Sequence, residues 1–268
     1  MKKRTSYIIG LFAWLFCSSF EPNWQYLFSI EREAKILETD RMGNIFLVSK
    51  TNQLYKYNAQ GVLQSTLNYA YLGNISQIDA SNPLEIYLFY KELNALVFLD
   101  NNLAFRGRLN LSDVGIIQAS TAARSYSNGI WVFDQGDLQL KKLEKDGTLA
   151  QASGNALQFA QHKNLSASRI LDNGDKIYVN DSSEGVMVFD LFANYLKTIP
   201  IKGKEEIKIM GENLFFMDKR HLISYQLKRY QRDTLLLPQS DNLGFSLEKE
   251  RLYLLNEKGL SIYQYKAN

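Results

Sequence analysis

The chain has 268 residues, 46% of them hydrophobic and 13% aromatic, which excludes wholesale disorder; with only 4 Pro it is no proline-rich linker either. Its formal charge of +3 comes from Lys2, Lys3 and Arg4: beyond residue 19, 28 basic residues face 28 acidic ones, and a neutral domain gives no support for a nucleic-acid or anionic-membrane partner. The single cysteine, Cys17, also falls in the first 19 residues, so the remainder has neither disulfide nor thiol chemistry.

In chain order, the first element is a targeting segment. Lys2, Lys3 and Arg4 are followed by an uncharged, mostly apolar run over residues 7–16 and then by Cys17, Ser18 and Ser19, which place small residues at the −3 and −1 positions of a cut before Phe20. This pattern predicts a signal peptide over residues 1–19 and an exported domain over 20–268. A ten-residue helix rises about 15 Å, half a bilayer core, so no transmembrane span is expected. Lipidation of Cys17 is the alternative, against which stands the bulky Phe16 before it. A cysteine-free exported domain fits a bacterial periplasm, with secretion or outer-membrane association as alternatives.

The rest of the chain repeats one unit six times. Ile45, Ile86, Ile130, Ile177, Leu214 and Leu252 each open an apolar run with an aromatic next or nearby, and successive anchors lie 41, 44, 47, 37 and 38 residues apart. That spacing is the period of propeller blades. A second apolar run begins 8 to 10 residues after each anchor, at Leu54, Leu96, Leu138, Val186, Leu222 and Leu260, across a short polar turn that reads as a hairpin. A third run follows, such as residues 62–67, 196–201 or 234–237, and another precedes each anchor, such as 34–39, 75–80 or 206–210. Four strands per unit result. The sixth unit ends without an outer strand, whereas residues 26–30 form a strand with no unit of their own. Placing residues 26–30 beside 260–263 closes the ring and removes an open sheet edge. The fold class expected is therefore all-β: a six-bladed β-propeller of four-stranded blades, closed by an N-terminal strand that completes the last blade.

Within this pattern, residues 44–48 with Leu54-Tyr55-Lys56-Tyr57 and Gly61, and residues 176–181 with Val188-Phe189-Asp190, resemble NHL-type six-bladed propeller repeats. The chain departs from that family in having the Asp after the inner strand only at Asp134, Asp181 and Asp218. The resemblance implies the fold and little about function. Some six-bladed relatives are calcium-dependent lactonases or esterases with ligands on the innermost strands. The corresponding strands here offer Glu38, Asp79, Gln118, Arg169, Lys208 and Ser246, a set of both signs without a carboxylate cluster. If a metal or small ligand is bound in the channel, Glu38, Asp79 and Gln118 are the fallback candidates. Otherwise the set lines a solvated channel.

Catalytic constellations are missing. His162 and His221 lie in different units, outside any zinc spacing, and there is no nucleophile elbow, phosphate loop or dinucleotide fingerprint. No cofactor is expected. The better candidates sit on one rim, where the turns between second and third strands meet the connectors between units. That rim receives Tyr69, Tyr71, Lys91, Asp134, Asp137, Phe159, His162, Asp181, Asp218, Arg220 and His221. Tyr and Arg are the chemistry of interface anchors, although the aromatics can equally fold back over the blade ends as core. The leading expectation is a non-catalytic interaction module with a protein partner in the cell envelope. The rival is a channel-centred ligand binder or lactonase-like enzyme.

Overall fold

Five of the six strands that carry the repeat anchors are buried along nearly their whole length, whereas the one at Asn213–Asp218 alternates. All four residues of β3 (Ile45–Val48) and all five of β11 (Ile130–Asp134) and β15 (Ile177–Asp181) are buried, without the alternation of a half-exposed sheet. Each is covered on both faces by a neighbouring sheet, so its positions are apolar apart from Asp134, Asn180 and Asp181, whose buried polar groups are hydrogen-bonded. The outer strands, such as β5 (Leu63–Leu67) and β21 (Arg232–Leu236), are largely exposed. The computed structural model describes residues 24–68, 72–162 and 165–266. Among these, 24 strands form six four-stranded antiparallel sheets arranged as the blades of a β-propeller.

Blade 1 consists of β2 (Ile36–Thr39), β3, β4 (Leu54–Tyr57) and β5. Blade 2 is β6 (Gln77–Asp79), β7 (Glu85–Tyr90), β8 (Ala95–Asp100) and β9 (Phe105–Asn110), and blade 3 is β10 (Ala119–Arg124), β11, β12 (Gln139–Leu143) and β13 (Leu149–Ala152). Blade 4 is β14 (Ala167–Asp172), β15, β16 (Gly185–Phe189) and β17 (Tyr195–Ile199), and blade 5 is β18 (Ile207–Met210), β19 (Asn213–Asp218), β20 (His221–Gln226) and β21. Blade 6 is β22 (Gly244–Glu248), β23 (Arg251–Asn256), β24 (Gly259–Tyr265) and, as its outer strand, β1 (Trp24–Ile30).

The closing strand lies where the unpaired run of residues 26–30 requires it. Tyr26 faces Tyr263 and Ile30 faces Leu260, with a register shift between Tyr26 and Phe28, and the pairing continues to Trp24 opposite Tyr265. Leu27 and Phe28 pack on the cluster shared by blades 6 and 1, and Trp24 on that shared by blades 5 and 6. The hydrophobic core is thus six interblade packs around a polar centre, not one central mass. Among the described residues no helix is long and apolar enough to cross a membrane. Short 3-10 turns lie at Leu111–Val114 and Ala156–Gln158.

Candidate functional site

The first strand of each blade lines the central channel, and its polar positions converge there. Glu38 of β2 is buried between two cations, Arg169 of β14 and Lys208 of β18, each bonded to one of its carboxylate oxygens. Burial alone would push the Glu38 carboxyl up, but the two cations outweigh it and hold the pKa at about 2. Asp79 of β6 accepts from the Ser81 N–H and hydroxyl at 2.9 and 2.6 Å and from the Arg124 N–H at 2.7 Å. Thr39 and Ser246 share a hydroxyl bond of 2.8 Å. Gln77 accepts from Thr121 at 2.8 Å and donates to the Ser168 carbonyl. These bonds tie inner strands of different blades together around the ring.

Two further carboxyls behave differently. Burial pushes Glu206 and Glu248 above the usual range, although Lys208 and Arg169 near Glu206, and Lys249 near Glu248, pull the other way. Glu206 accepts the Phe245 N–H at 3.1 Å and so joins blade 5 to blade 6. Sequence reading missed Glu206 and Gln77. Each lies two residues from a residue it did identify, Lys208 and Asp79, so the period-two rule for strands was the available signal. Gln118, expected in the channel, is an exposed residue of the connector just ahead of β10. A register shift between Ala119 and Thr121 breaks the alternation there, and Thr121 takes the inward place. The channel opens as a cavity of about 290 Å³ on the side of the turns between first and second strands. Among the described residues, no three His, Cys, Asp or Glu side chains converge as a metal-holding group.

At the opposite end lies the rim formed by the turns between second and third strands and the connectors between blades. Several of the sequence candidates stitch these two kinds of loop together. Asp134, fully buried, accepts the N–H groups of Ile117, Gln118 and Gly136 at 2.9, 2.9 and 3.1 Å and the Lys141 ammonium at 2.8 Å. Asp181 does the same for Ser166, Ser183 and Glu184 at 2.6, 2.8 and 3.0 Å. In blades 1 and 2, which lack that Asp, Asn52 and Asn94 make the link, accepting the Ile75 and Ala119 N–H groups at 2.8 and 2.9 Å. Asp137 pairs with Lys141 at 2.5 Å. Phe159 stacks on Tyr195 with centroids 3.9 Å apart and packs against Phe189.

Other candidates face solvent. Lys91, Arg220 and His221 are exposed, and Asp218 pairs with Lys204 at 2.7 Å, which lowers its pKa. The exposed His162 sets its Nδ1 2.8 Å from the buried Glu184. Tyr69 and Tyr71 lie outside the described residues.

No family model matches the chain, and no curated protein matches it. Solved structures do. The chain is similar to BamB from Moraxella catarrhalis at 10% identity, a TM-score of 0.59 and coverage of 91% of this chain and 98% of that one. It is likewise similar to the Cps50 (Swd1) β-propeller domain of Myceliophteria thermophila, at 8% identity and TM-score 0.64, covering 90% and 99%. The fold is a β-propeller. A third similar structure is a catalytically inactive virginiamycin B lyase from Staphylococcus aureus with quinupristin, at 11% identity and TM-score 0.59, covering 85% and 79%. At such identities the likeness carries the propeller fold alone.

Proposed function

We propose that this propeller is a non-catalytic, exported protein-interaction module, a subunit of an envelope assembly, whose partner docks on the rim that displays Lys91, Arg220 and His221. One observation carries the reading: the channel's strongest carboxylate is already spent. Glu38 is held by Arg169 and Lys208, and Asp79 by backbone and hydroxyl donors, so these inner-strand acids brace the ring. Function then falls to the loops, which a rigid ring holds in fixed relative positions. The leader-like pattern over residues 2–19 supports export of residues 20–268.

The test is affinity capture of the tagged protein from its native envelope after crosslinking. Arg220→Ala combined with His221→Ala is expected to reduce recovery of a specific partner by about tenfold or more, since interface Arg anchors typically contribute 1–4 kcal/mol. The melting temperature should stay within about 2 °C, both side chains being exposed. Undiminished recovery removes this rim as the docking face.

A further inference from the structure

The six turns between first and second strands ring the open mouth of the channel, and they are not alike. In blades 1, 2 and 3 they span residues 40–44, 80–84 and 125–129, five residues each; in blades 4, 5 and 6 they shorten to 173–176, 211–212 and 249–250. Each long turn presents one large apolar side chain to solvent: Met42 is 64% exposed, Leu84 70% and Tyr126 78%. The short turns present Asp175, Lys176, Glu212, Lys249 and Glu250 instead. The adjacent long turns of blades 1 to 3 thus form an arc in which each exposes one apolar side chain, with Met42 bordering the charged turn at Lys249 and Glu250.

The arc is pre-organised. The Met42 N–H donates to Asp40 at 2.9 Å, the Leu84 N–H to Asn82 at 3.0 Å and the Tyr126 N–H to Asp172 at 2.9 Å. Tyr126 also lies against Gly174, where an added Cβ would come within 3.2 Å of the ring. Turns locked by side-chain acceptors lose little further freedom on binding. Within the arc, Arg41 is exposed, lines the channel mouth, and has no hydrogen bond or ion pair among the described residues. Arg124, the other guanidinium of the arc, is committed to Glu85. An apolar arc with one free guanidinium complements an apolar surface that carries one negative charge.

We propose that the long turns of blades 1 to 3 dock a protein segment that carries an acidic side chain between apolar ones. The carboxylate sits against Arg41 at the channel mouth, and the apolar groups cover Met42, Leu84 and Tyr126. This surface lies on the face opposite the rim and shares with the proposed function only that its occupant is protein.

The probe is a display library of random twelve-residue peptides panned on the purified protein. Enriched peptides should place Asp or Glu within an apolar run. A synthetic peptide of that consensus should lose about tenfold or more in affinity against Leu84→Ser with Tyr126→Ser, and against Arg41→Glu. It should bind Arg220→Ala with His221→Ala unchanged. All three variants alter exposed side chains, and a melting curve confirms that each is folded. Enrichment without an acidic residue, no enrichment, or equal affinity for Arg41→Glu overturns the proposal. Binding of neutral phosphatidylcholine vesicles through the same three apolar residues, in place of peptide, also overturns it. If the peptide fails while the Arg220 and His221 variant still loses its native partner, the arc is refuted and the interaction reading stands.

Discussion

Deleting residues 20–30 is expected to unfold the ring or to drive it into aggregates. β1 supplies the whole outer strand of blade 6, and its loss exposes the edge of β24 as an unpaired row of backbone groups. It also withdraws Leu27, Phe28 and Ile30 from the cluster between blades 6 and 1, and Trp24 from that between blades 5 and 6. At about 1–3 kcal/mol for each large side chain, according to how fully it is buried, the loss is comparable with the 5–15 kcal/mol of a typical domain. Thermal unfolding followed by circular dichroism and light scattering reads the effect. A truncated chain that melts at the temperature of the longer one would mean that the ring does not depend on its closing strand.

The second large effect is expected at Glu38. Glu38→Gln leaves Arg169 and Lys208 in the channel without their shared carboxylate, and breaking a buried charge set from one side typically costs about 3–5 kcal/mol. The pH dependence follows from the direction of the shift. Glu38 titrates at about 2 in the fold, below its ordinary 4.5. Its stabilising contribution is therefore complete above pH 4.5 and is lost as pH falls from there through 2. The shift corresponds to about 3 kcal/mol. Glu206 and Glu248, raised by burial, act in the opposite sense, because protonating them favours the fold. The difference between wild type and Glu38→Gln isolates Glu38: the gap in melting temperature should be wide at pH 6 and narrow by pH 2.5. A gap of constant width across that range would contradict the assigned ion network.

The repeat was legible because the anchor residue of each blade's second strand is buried, so Ile45, Ile86, Ile130, Ile177, Leu214 and Leu252 stand out at a steady period. Closure was legible by counting, since a sixth blade lacking an outer strand and an orphan strand at residues 26–30 have one simple joint solution. The channel was legible only in part. Locating the innermost strands reached Glu38, Asp79, Arg169, Lys208 and Ser246 but failed at Gln118, which lies in the connector ahead of β10. The propeller restricts each candidate in a way that sequence does not reveal. Asp134 and Asp181 look like rim residues yet spend their oxygens on loop N–H groups, whereas Lys91, Arg220 and His221 point outward. The apolar arc was not read at all. Met42, Leu84 and Tyr126 occupy turns of differing sequence, and only the ring brings those turns to one face.

Whether the protein works from its surface or from its channel is decided most directly by site-specific photocrosslinking in its native cells. A photoreactive residue replaces, one at a time, Lys91 and Arg220 on the rim, Leu84 on the arc, and Met210, which lines the channel cavity. Crosslinks from one or more of the three surface positions to a discrete protein, with none from position 210, are the expected result. A crosslink confined to position 210, or adducts only to a small molecule there, would contradict the interaction account and move the chemistry into the channel.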